Sequence, residues 1–335
     1  MKFLVVGCGS IGKRHIRNLL NLNAGEIVAF DVRQDRLEEV RSEFDVATCD
    51  DFAQGIEGRV DAVLVCTPTA LHLRYAHFAV EHGLPVFVEK PLSDSMEGVD
   101  RFLGEVADNG LVALIGCNFR FHLGLMLVKQ MLDEGKIGRP ICIRAEFGQY
   151  LPDWHPWEDY RQGYSASKSL GGGIILDSVH EIDYVTWMLG NVTEVCCFAG
   201  KLSDLEIETE DVAELLLRFD DGALGEIHVD YVQRAYNRSC KIVGDEGTLL
   251  WSYQDNTVSF YTASAERWQV FEWPGSYDAN EMYLREMEHF LACLTGAEQP
   301  QLDAVGAKRV LELALAAKES AQCGRKVLLD RQSSP

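Results

Sequence analysis

The chain has 335 residues, of which 47% are hydrophobic and 25% are charged. This length and composition predict a globular protein of two domains with hydrophobic cores. The net charge of -21 argues against nucleic acid or an anionic membrane as the main partner, because both require a basic surface. It leaves an anionic substrate open, since a few local lysines and arginines outweigh a distant field.

The ten cysteines are scattered without a CxxC pair, and no spacing of cysteine and histidine is typical of a zinc site. We therefore expect reduced thiols and no bound metal. The chain opens on the apolar segment MKFLVVG rather than on a secretory signal, and no apolar run is long enough to span a bilayer. These features predict a cytoplasmic protein.

The first third of the chain alternates apolar runs with helical patterns. Each run is apolar on both faces, which is typical of a parallel strand that helices cover on both sides. The apolar runs are KFLVVG, EIVAFDV, DAVLVCTP and PVFVEKP. We therefore predict a parallel α/β domain, of the Rossmann dinucleotide-binding type, over residues 1–120.

A glycine-rich turn, Gly7-x-Gly9-x-x-Gly12, joins the first apolar run to the first helical pattern. Gly7 suits a tight turn, Gly9 lets the backbone approach a pyrophosphate, and Gly12 lets helix and strand pack closely. The N-terminus of the helix, where Ser10 and Ile11 lie, supplies N–H groups and a positive dipole end to the phosphates. The pattern predicts a dinucleotide site, and a strand–helix turn without a ligand is the alternative.

An acidic residue, Asp31, ends the second apolar run 19 residues beyond Gly12. Its carboxylate is expected to accept hydrogen bonds from the adenosine ribose and to repel a 2′-phosphate, which favours NAD over NADP. Arg33 follows two residues later and would cover a phosphate if the loop turned, although a solvated arginine is the simpler interpretation. NAD is the predicted cofactor, and NADP stays the second candidate.

From about residue 121 strand-like runs predominate, and two helical segments end the chain. The turns DDG at 220–222 and GDEG at 244–247 are typical of hairpins. We predict a second α+β domain over residues 121–335, with an open, mainly antiparallel sheet that is apolar on one face. The last helix is a candidate to pack back on the first domain. An exposed apolar sheet face predicts a homo-oligomer, a dimer or a tetramer.

Five segments carry a family signature. They are VVGCGSIGKRHIRNL at 5–19, DAVLVCTPTALHLRYAHFAVEHGLPVFVEKPLS at 61–93, GCNFRF at 116–121, GGGIILDSVHEIDYVTWMLG at 171–190 and GDEGTL at 244–249. In these segments the chain resembles the glucose–fructose oxidoreductase, inositol dehydrogenase and rhizopine-catabolism family, written Gfo/Idh/MocA. The resemblance implies hydride transfer between a nicotinamide and a secondary hydroxyl or keto group of a sugar, a sugar derivative or a cyclitol.

The segment VFVEKPLS places Glu89 and Lys90 directly after a buried strand. Open α/β sheets bind ligands at the carboxyl ends of their strands, so we expect Lys90 beside the nicotinamide. Its ammonium group would there stabilise alkoxide character on the substrate oxygen. A surface lysine paired with Glu89 is the alternative. The resemblance implies the catalytic role, places both residues among the cofactor contacts, and implies a cis bond before Pro91.

His180 is the second catalytic candidate, because oxidation of an alcohol requires a base and histidine titrates in a suitable range. Its segment reads as a loop that enters a helix, with Asp177 near the start. The family usually has an aspartate four residues before this histidine, whereas here Leu176 stands four before and Asp177 three before. Two roles for Asp177 are therefore open, orientation of His180 and capping of the helix. A non-reactive helix histidine is the alternative for His180.

Weaker predictions concern residues that follow strand ends. Thr67 and Pro68 are expected to line the nicotinamide side of the cofactor. His72, in the first turn of the next helix, is either a cofactor contact or a helix-surface histidine. The resemblance places Asn118 and Arg120 where the family faces cofactor and substrate, with an interdomain salt bridge as the alternative for Arg120.

The loop at 148–173 concentrates aromatic residues in a pattern that is not typical of a core. Aromatic faces suit a sugar ring or a nucleobase, and an arginine suits a carboxylate or a phosphate. Trp154, Trp157 and Arg161 are therefore candidate substrate contacts, with a packed loop or a subunit contact as the alternative. If they bind substrate, a nucleotide-activated or acidic sugar is favoured over a simple polyol.

Three functions follow from these patterns. The first is a dehydrogenase for a sugar or cyclitol hydroxyl, in which Lys90, Asp177 and His180 also contact the substrate. The second is a reductase of another C=O or C=N bond at the same site. The third is a non-catalytic NAD-binding sensor, which the presence of both Lys90 and His180 disfavours.

Overall fold

The computed structural model describes residues 1–273 and 278–329 of the chain. The chain forms two compact units. The first unit consists of Met1–Asn118 and Ala279–Leu311, and the second consists of Phe119–Asp278 and the chain from Glu312 on. The C-terminal part of the chain thus contributes to both units.

The first unit is built on a six-stranded parallel sheet. In chain order its strands are β1 (Lys2–Val6), β2 (Glu26–Phe30), β3 (Ala47–Cys49), β4 (Ala62–Val65), β5 (Val86–Glu89) and β6 (Ala113–Gly116). In space they follow the order β3-β2-β1-β4-β5-β6, as in a Rossmann domain. Because the order reverses between β1 and β4, the carboxyl ends of these strands mark the position at which such sheets bind ligands.

Five helices alternate with these strands, and the sequence pattern predicts all of them except α3. They are α1 (Ser10–Asn21), α2 (Gln34–Glu43), α3 (Phe52–Glu57), α4 (His72–Glu81) and α5 (Val99–Asp108). The strand residues between the helices are buried on both faces, with Phe3, Val5, Leu64 and Phe87 fully inaccessible to solvent. Two-sided burial explains why each strand is an unbroken apolar run rather than an alternating one.

The second unit is built on a nine-stranded mixed sheet. Its strands are β7 (Pro140–Gly148), β8 (Val192–Gly200), β9 (Val212–Phe219), β10 (Leu224–Asp230), β11 (Asn237–Gly244), β12 (Gly247–Ser252), β13 (Thr257–Thr262), β14 (Arg267–Glu272) and β15 (Val327–Leu328). Their order is β14-β13-β12-β11-β7-β10-β9-β8-β15, and only β7 and β10 pair in parallel among the described strands. The predicted open, mainly antiparallel sheet is confirmed.

One face of this sheet is covered by helices of the same unit. They are α6 (Leu123–Asp133), α7 (Ile174–Asp177) and α8 (Val179–Leu189), of which α7 and α8 contact β10 while α6 contacts β12 and β13. Two further helices end the chain, α9 (Asn280–Leu294), which packs against α1 in the first unit, and α10 (Ala304–Cys323). In the described part of the chain, no helix has the length and apolar character needed to cross a membrane.

The outer face of the second sheet is mixed rather than apolar, which corrects the expectation from sequence. Arg144 on β7 forms an ion pair with Glu226 on β10, at 2.8 Å from Nε to Oε2. His228 lies between Asp230 and Glu214, whose carboxylates raise the pKa of this histidine to about 9. Exposed apolar side chains share this face with the charged residues, and they are Phe198, Leu216 and Leu224.

The sequence pattern does not predict four short elements, β3, α3, β14 and β15. All four have between two and six residues, which is short for recognising a period of 2 or 3.6. Strand β14 is also exposed along its whole length, so it has no buried face. Backbone pairing with a neighbouring strand, not the side-chain pattern, defines the strands β3, β14 and β15.

A pair of glycine substitutions tests this description of the first unit. Gly12→Ala would place a Cβ atom 1.9 Å from the carbonyl oxygen of Gly7, and we expect the overpacking to lower the free energy of unfolding by about 1–3 kcal/mol. Gly104→Ala, in an exposed turn of α5 with no atom within 4 Å of the new Cβ, should instead raise it by about 0.5–1 kcal/mol.

Urea denaturation of the two variants and the wild type measures both effects. Equal stability of Gly12→Ala and wild type would contradict the close packing of helix and strand at this turn.

Candidate active site

The glycine turn between β1 and α1 has the backbone that a dinucleotide site requires. Gly7 has a φ of +96°, and a Cβ atom there would lie 2.6 Å from the carbonyl oxygen of Cys66. Gly12 is required by its contact with the Gly7 carbonyl. No clash explains Gly9, because the nearest atom to its Cβ would be on Arg36 at 3.8 Å. A glycine at this position fits the close approach of a ligand to the backbone.

The N-terminus of α1 provides donors for a pyrophosphate. The helix begins at Ser10, and Gly9 precedes it without a side-chain cap. The first N–H groups of a helix, here including those of Ser10 and Ile11, have no acceptor within the helix, and the dipole makes this end positive. Both properties favour an anionic group.

Asp31 follows β2 and is buried. Its Oδ2 accepts a hydrogen bond from the N–H of Cys8 at 2.8 Å, and its Oδ1 accepts one from the N–H of Arg33 at 2.9 Å. The carboxylate thus ties the glycine turn to the end of β2. A carboxylate has about four acceptor positions, so capacity for ribose hydroxyls remains. The Arg33 side chain forms an exposed ion pair with Asp35, as expected of a solvated arginine.

Two buried polar atoms follow the ends of β4 and β6, the hydroxyl oxygen of Thr67 and the side-chain nitrogen of Asn118. Neither atom has a hydrogen-bond partner within residues 1–273 and 278–329. Such groups are rare in folded proteins, and they indicate a partner outside the chain. Pro68, next to Thr67, caps the short 3₁₀ turn Thr69–Leu71. These atoms, the glycine turn and Asp31 all belong to the first unit, and together they fit a bound dinucleotide.

Lys90 directly follows β5 and therefore emerges at the carboxyl edge of the parallel sheet. The Lys90–Pro91 peptide bond is cis, as the family resemblance implies. Glu89 is 7% exposed and is therefore not a surface residue. Its Oε2 accepts a hydrogen bond from the Lys90 N–H at 3.2 Å, and its Oε1 lies 2.7 Å from Nε2 of the fully buried His15.

His72 is the first residue of α4 and is 1% exposed, so the helix-surface interpretation is wrong. Its Nδ1 lies 2.7 Å from the carbonyl oxygen of Pro91, and its Nε2 lies 2.8 Å from the carbonyl oxygen of Thr67. Both ring nitrogens are occupied by the backbone of this chain. The prediction that His72 contacts the cofactor is therefore corrected, because the ring joins two turns instead.

In the second unit, the segment His-Glu-Ile-Asp at the start of α8 buries three polar side chains. His180 is 8% exposed, while Glu181 and Asp183 are fully buried. The His180 ring packs against Phe119, with ring centroids 5.0 Å apart. Burial of two carboxylates and one imidazole within a single helical turn requires compensating partners and is typical of a functional site.

An arginine pairs with each of the two carboxylates. Arg120 binds Asp183 through Nε and Nη2, at 3.0 and 2.8 Å. Nε of Arg238, on β11, lies 2.9 Å from Oε1 of Glu181. Arg120 and Asp183 both belong to the second unit, so this salt bridge lies within that unit.

The Arg238 guanidinium also lies over two aromatic rings, Phe119 at 4.2 Å and Phe147 at 3.9 Å. The platform beneath His180 is therefore a Phe119 ring backed by a buried cation. Burial and the charge of Arg238 lower the pKa of the neighbouring His122 to about 3. His122 is consequently neutral at physiological pH, which limits the positive charge buried in this region.

Asp177 ends α7, and Ser178, not Asp177, precedes α8. The helix-capping role for Asp177 is therefore wrong. The Tyr231 hydroxyl donates a hydrogen bond to Oδ2 of Asp177. Burial and then the charge of Asp177 raise the pKa of Tyr231 well above its ordinary value, so the phenol stays protonated. Orientation of His180 by Asp177 stays a prediction.

The aromatic loop contributes less to ligand binding than its composition suggests. Trp154 packs on Phe147 and Tyr231 and donates its indole N–H to the carbonyl oxygen of Gln149 at 3.2 Å. Trp157 is 73% exposed and stays a candidate contact.

The role predicted for Arg161 is corrected. Its guanidinium binds Asp159 through Nε and Nη2, both at 2.8 Å, and binds Glu206 through Nη1 at 2.9 Å. These three bonds hold the loop, and they neutralise the charge that would attract a substrate carboxylate or phosphate.

Sequence reasoning did not identify five residues of this region. They are His15, Phe119, Glu181, Tyr231 and Arg238. For Glu181 and His15 a signal exists, since each is a polar residue within a segment of the family signature. The other three lack such a signal, because only the folded chain brings Phe119, Tyr231 and Arg238 to the segments that carry His180 and Asp177.

Comparison with known families follows the same two units. Residues 1–117 match the oxidoreductase family with an NAD-binding Rossmann fold, and residues 125–250 match the GFO/IDH/MocA C-terminal domain. Together these matches cover more than half of the chain.

The chain is 30% identical to the myo-inositol 2-dehydrogenase of Thermotoga maritima, over 98% of this chain and 99% of that protein. It is 26% identical to the scyllo-inositol 2-dehydrogenase (NAD⁺) of Bacillus subtilis, over 97% and 95% of the two chains. A levoglucosan dehydrogenase solved in complex with NADH superposes with a TM-score of 0.89, covering 99% of this chain and 100% of that one at 21% identity. That last likeness shows the fold alone.

The family models, the nearly full-length relatives and a first unit that fits a dinucleotide agree with one another. The chain therefore belongs to the Gfo/Idh/MocA family and is an NAD-dependent oxidoreductase that acts on CH–OH groups.

Proposed function

We propose that this enzyme oxidises a secondary hydroxyl of an uncharged polyol, a cyclitol of the inositol type. The observation that carries the choice of an uncharged substrate is the pairing of Arg120 with Asp183 and of Arg161 with Asp159 and Glu206. Arg161, which was considered for an anionic group, and Arg120, which was considered for substrate binding, are thus both bound to carboxylates. Two relatives that span nearly the whole chain are inositol dehydrogenases, which supports the same substrate class.

Lys90 supplies positive charge at the reacting oxygen. A nicotinamide held at this edge of the sheet would supply the hydride acceptor in oxidation and the hydride donor in reduction. An ammonium group that donates a hydrogen bond to the substrate oxygen stabilises the negative charge that grows there as the C–H bond breaks. The position of Lys90 at the carboxyl edge of the dinucleotide sheet supports this role.

His180 accepts the proton of the same reaction. A neutral imidazole takes the hydroxyl proton in the oxidising direction and returns it in the reducing direction. The Phe119 ring fixes one face of the imidazole, and Arg238 and Glu181 hold that ring in turn. Asp177, which the Tyr231 hydroxyl holds, orients His180 in this proposal.

Two variants test these roles separately. We expect Lys90→Met to bind NADH like wild type and to lose about 10²–10³-fold in kcat, because a donor to the developing charge is removed. We expect His180→Gln to lose about 10²–10⁴-fold in inositol oxidation at neutral pH and to recover part of it as the pH rises, because hydroxide replaces the missing base.

Steady-state kinetics with inositol and NAD⁺ from pH 6 to 10 measure both effects. Lys136→Met and His82→Gln replace exposed residues of the same types and serve as matched controls that should behave like wild type. Full activity of Lys90→Met would contradict the assignment of the charge-stabilising group. A pH–rate profile of His180→Gln that parallels that of wild type would contradict the assignment of the base.

We further propose that the enzyme is a cytoplasmic homo-oligomer that associates through the outer face of the second sheet. Phe198 and Leu216 are 74% and 57% exposed on this face. Exposed apolar patches on a protein surface often mark an interaction site. The charged residues between them are internally paired, as Arg144 is with Glu226. The ten cysteines are all free, which supports a reducing compartment.

Leu216→Arg should dissociate this oligomer, because it places an unpaired charge in the middle of the buried face. Leu202→Arg is the matched control, since Leu202 is 76% exposed and lies outside the strands. Sedimentation velocity is expected to show smaller particles for Leu216→Arg alone. A monomeric wild type, or an unchanged assembly of Leu216→Arg, would contradict the proposed interface.

A further inference from the structure

His72 lies between two turns that the proposed reaction uses. One turn follows β4 and carries Thr67, and the other follows β5 and carries Lys90 and Pro91. The ring is 1% exposed, and its two nitrogens reach one backbone carbonyl in each turn, at 2.8 Å for Thr67 and 2.7 Å for Pro91. No role in the reaction described above requires such a bridge.

The chemistry of the two acceptors determines the state of the ring. A carbonyl oxygen accepts hydrogen bonds and cannot donate one, so each ring nitrogen must carry a hydrogen to make its bond. Neutral imidazole has a single N–H group, whereas the imidazolium ion has two. Only protonated His72 therefore makes both bonds. In the neutral state one nitrogen presents a lone pair to a carbonyl oxygen, and one turn is released.

Nearby groups act on His72 in opposite directions. Burial lowers the pKa of its imidazole below the ordinary value of 6.5, while the carbonyls of Pro91 and Thr67 and the Glu89 carboxylate raise it and Lys90 lowers it. The pKa of His72 is lowered overall. The imidazolium, and with it the complete bridge, is therefore present in acid, and one bond is lost as the pH rises through this pKa.

A second buried histidine supports the same arrangement. His15 on α1 lies 2.7 Å from Oε1 of Glu89, and the other oxygen of this carboxylate accepts the N–H of Lys90. Glu89 therefore fixes the backbone of Lys90 from one side, while His72 fixes the carbonyl of Pro91 from the other. Hydrogen bonds thus hold the backbone N–H of Lys90 and the carbonyl oxygen of Pro91, the residue that follows it.

We propose that His72 is a positioning residue whose imidazolium ties the Thr67 turn to the Lys90 turn and so preorganises the nicotinamide end of the cofactor site. The inference rests on the proposed function of Lys90. It assigns to His72 no contact with substrate or cofactor, and it predicts that affinity for the cofactor depends on the charge of a side chain that does not touch it.

Titration of NADH binding in the apoenzyme from neutral pH downward tests this proposal, because the lowered pKa of His72 places its ionisation below the ordinary value of 6.5. We expect wild-type affinity to fall as the pH rises through the ionisation of His72. His72→Gln donates from one nitrogen only, and it should bind NADH about tenfold more weakly than wild type in acid, with little dependence on pH. His82→Gln, at the exposed C-terminal end of the same helix, is the matched control and should follow wild type.

Nitrogen NMR of histidine-labelled wild type provides a second readout that needs no variant to fold. Both ring nitrogens of His72 should be protonated on the acid side, and the loss of one proton should share its midpoint with the change in NADH affinity. A ring that keeps one unprotonated nitrogen throughout the range would overturn the proposal, as would a different midpoint. So would an NADH affinity of His72→Gln that follows wild type at every pH.

The failure of this inference and that of the proposed function are distinguishable. If His72→Gln behaves like wild type while Lys90→Met is inactive, Lys90 is catalytic and the bridge is irrelevant to its position. If Lys90→Met is fully active, the catalytic role falls whatever the titration of His72 shows.

Discussion

The parallel pairing of β1, β4 and β5 is the constraint on which the first unit depends. Parallel strands in register bring their carboxyl ends to one edge, so three turns far apart in sequence meet there. These turns carry Gly9, Thr67 and Lys90. Backbone amides, a helix terminus and a lysine converge on this edge, which suits an anionic ligand. The buried His15 and His72 hydrogen-bond to residues of these turns.

The second unit depends on a different constraint, the burial of charged side chains. Two carboxylates and a histidine lie in one turn of α8 at an exposure of 8% or less. A charge without a partner in such a place costs several kcal/mol, so each carboxylate has an arginine. Pairing makes the region rigid, and it leaves His180 as the base candidate of this turn. The same pairing removes Arg120 from the set of free cations available to an anionic substrate.

Local patterns predicted the architecture and the motif residues, because strand periodicity, glycine requirements and turn chemistry are properties of short segments. They could not predict partners that the fold alone brings together. The ion pair of Arg161 with Glu206, for example, joins residues 45 positions apart, and it turned a predicted substrate contact into a structural one. The bond from Tyr231 to Asp177 likewise spans 54 positions. His72 was misread because its acceptors are backbone carbonyls, which a sequence motif does not display.

The most direct test of the account is the fate of deuterium placed on the carbon that bears the oxidised hydroxyl. The enzyme would be incubated with NAD⁺ and inositol labelled at that carbon, and the NADH formed would be analysed by mass spectrometry and proton NMR. The account predicts one deuterium on C4 of the nicotinamide and a slower reaction than with unlabelled inositol. NADH without deuterium would contradict direct hydride transfer, and the absence of turnover with every inositol isomer would contradict the proposed substrate class.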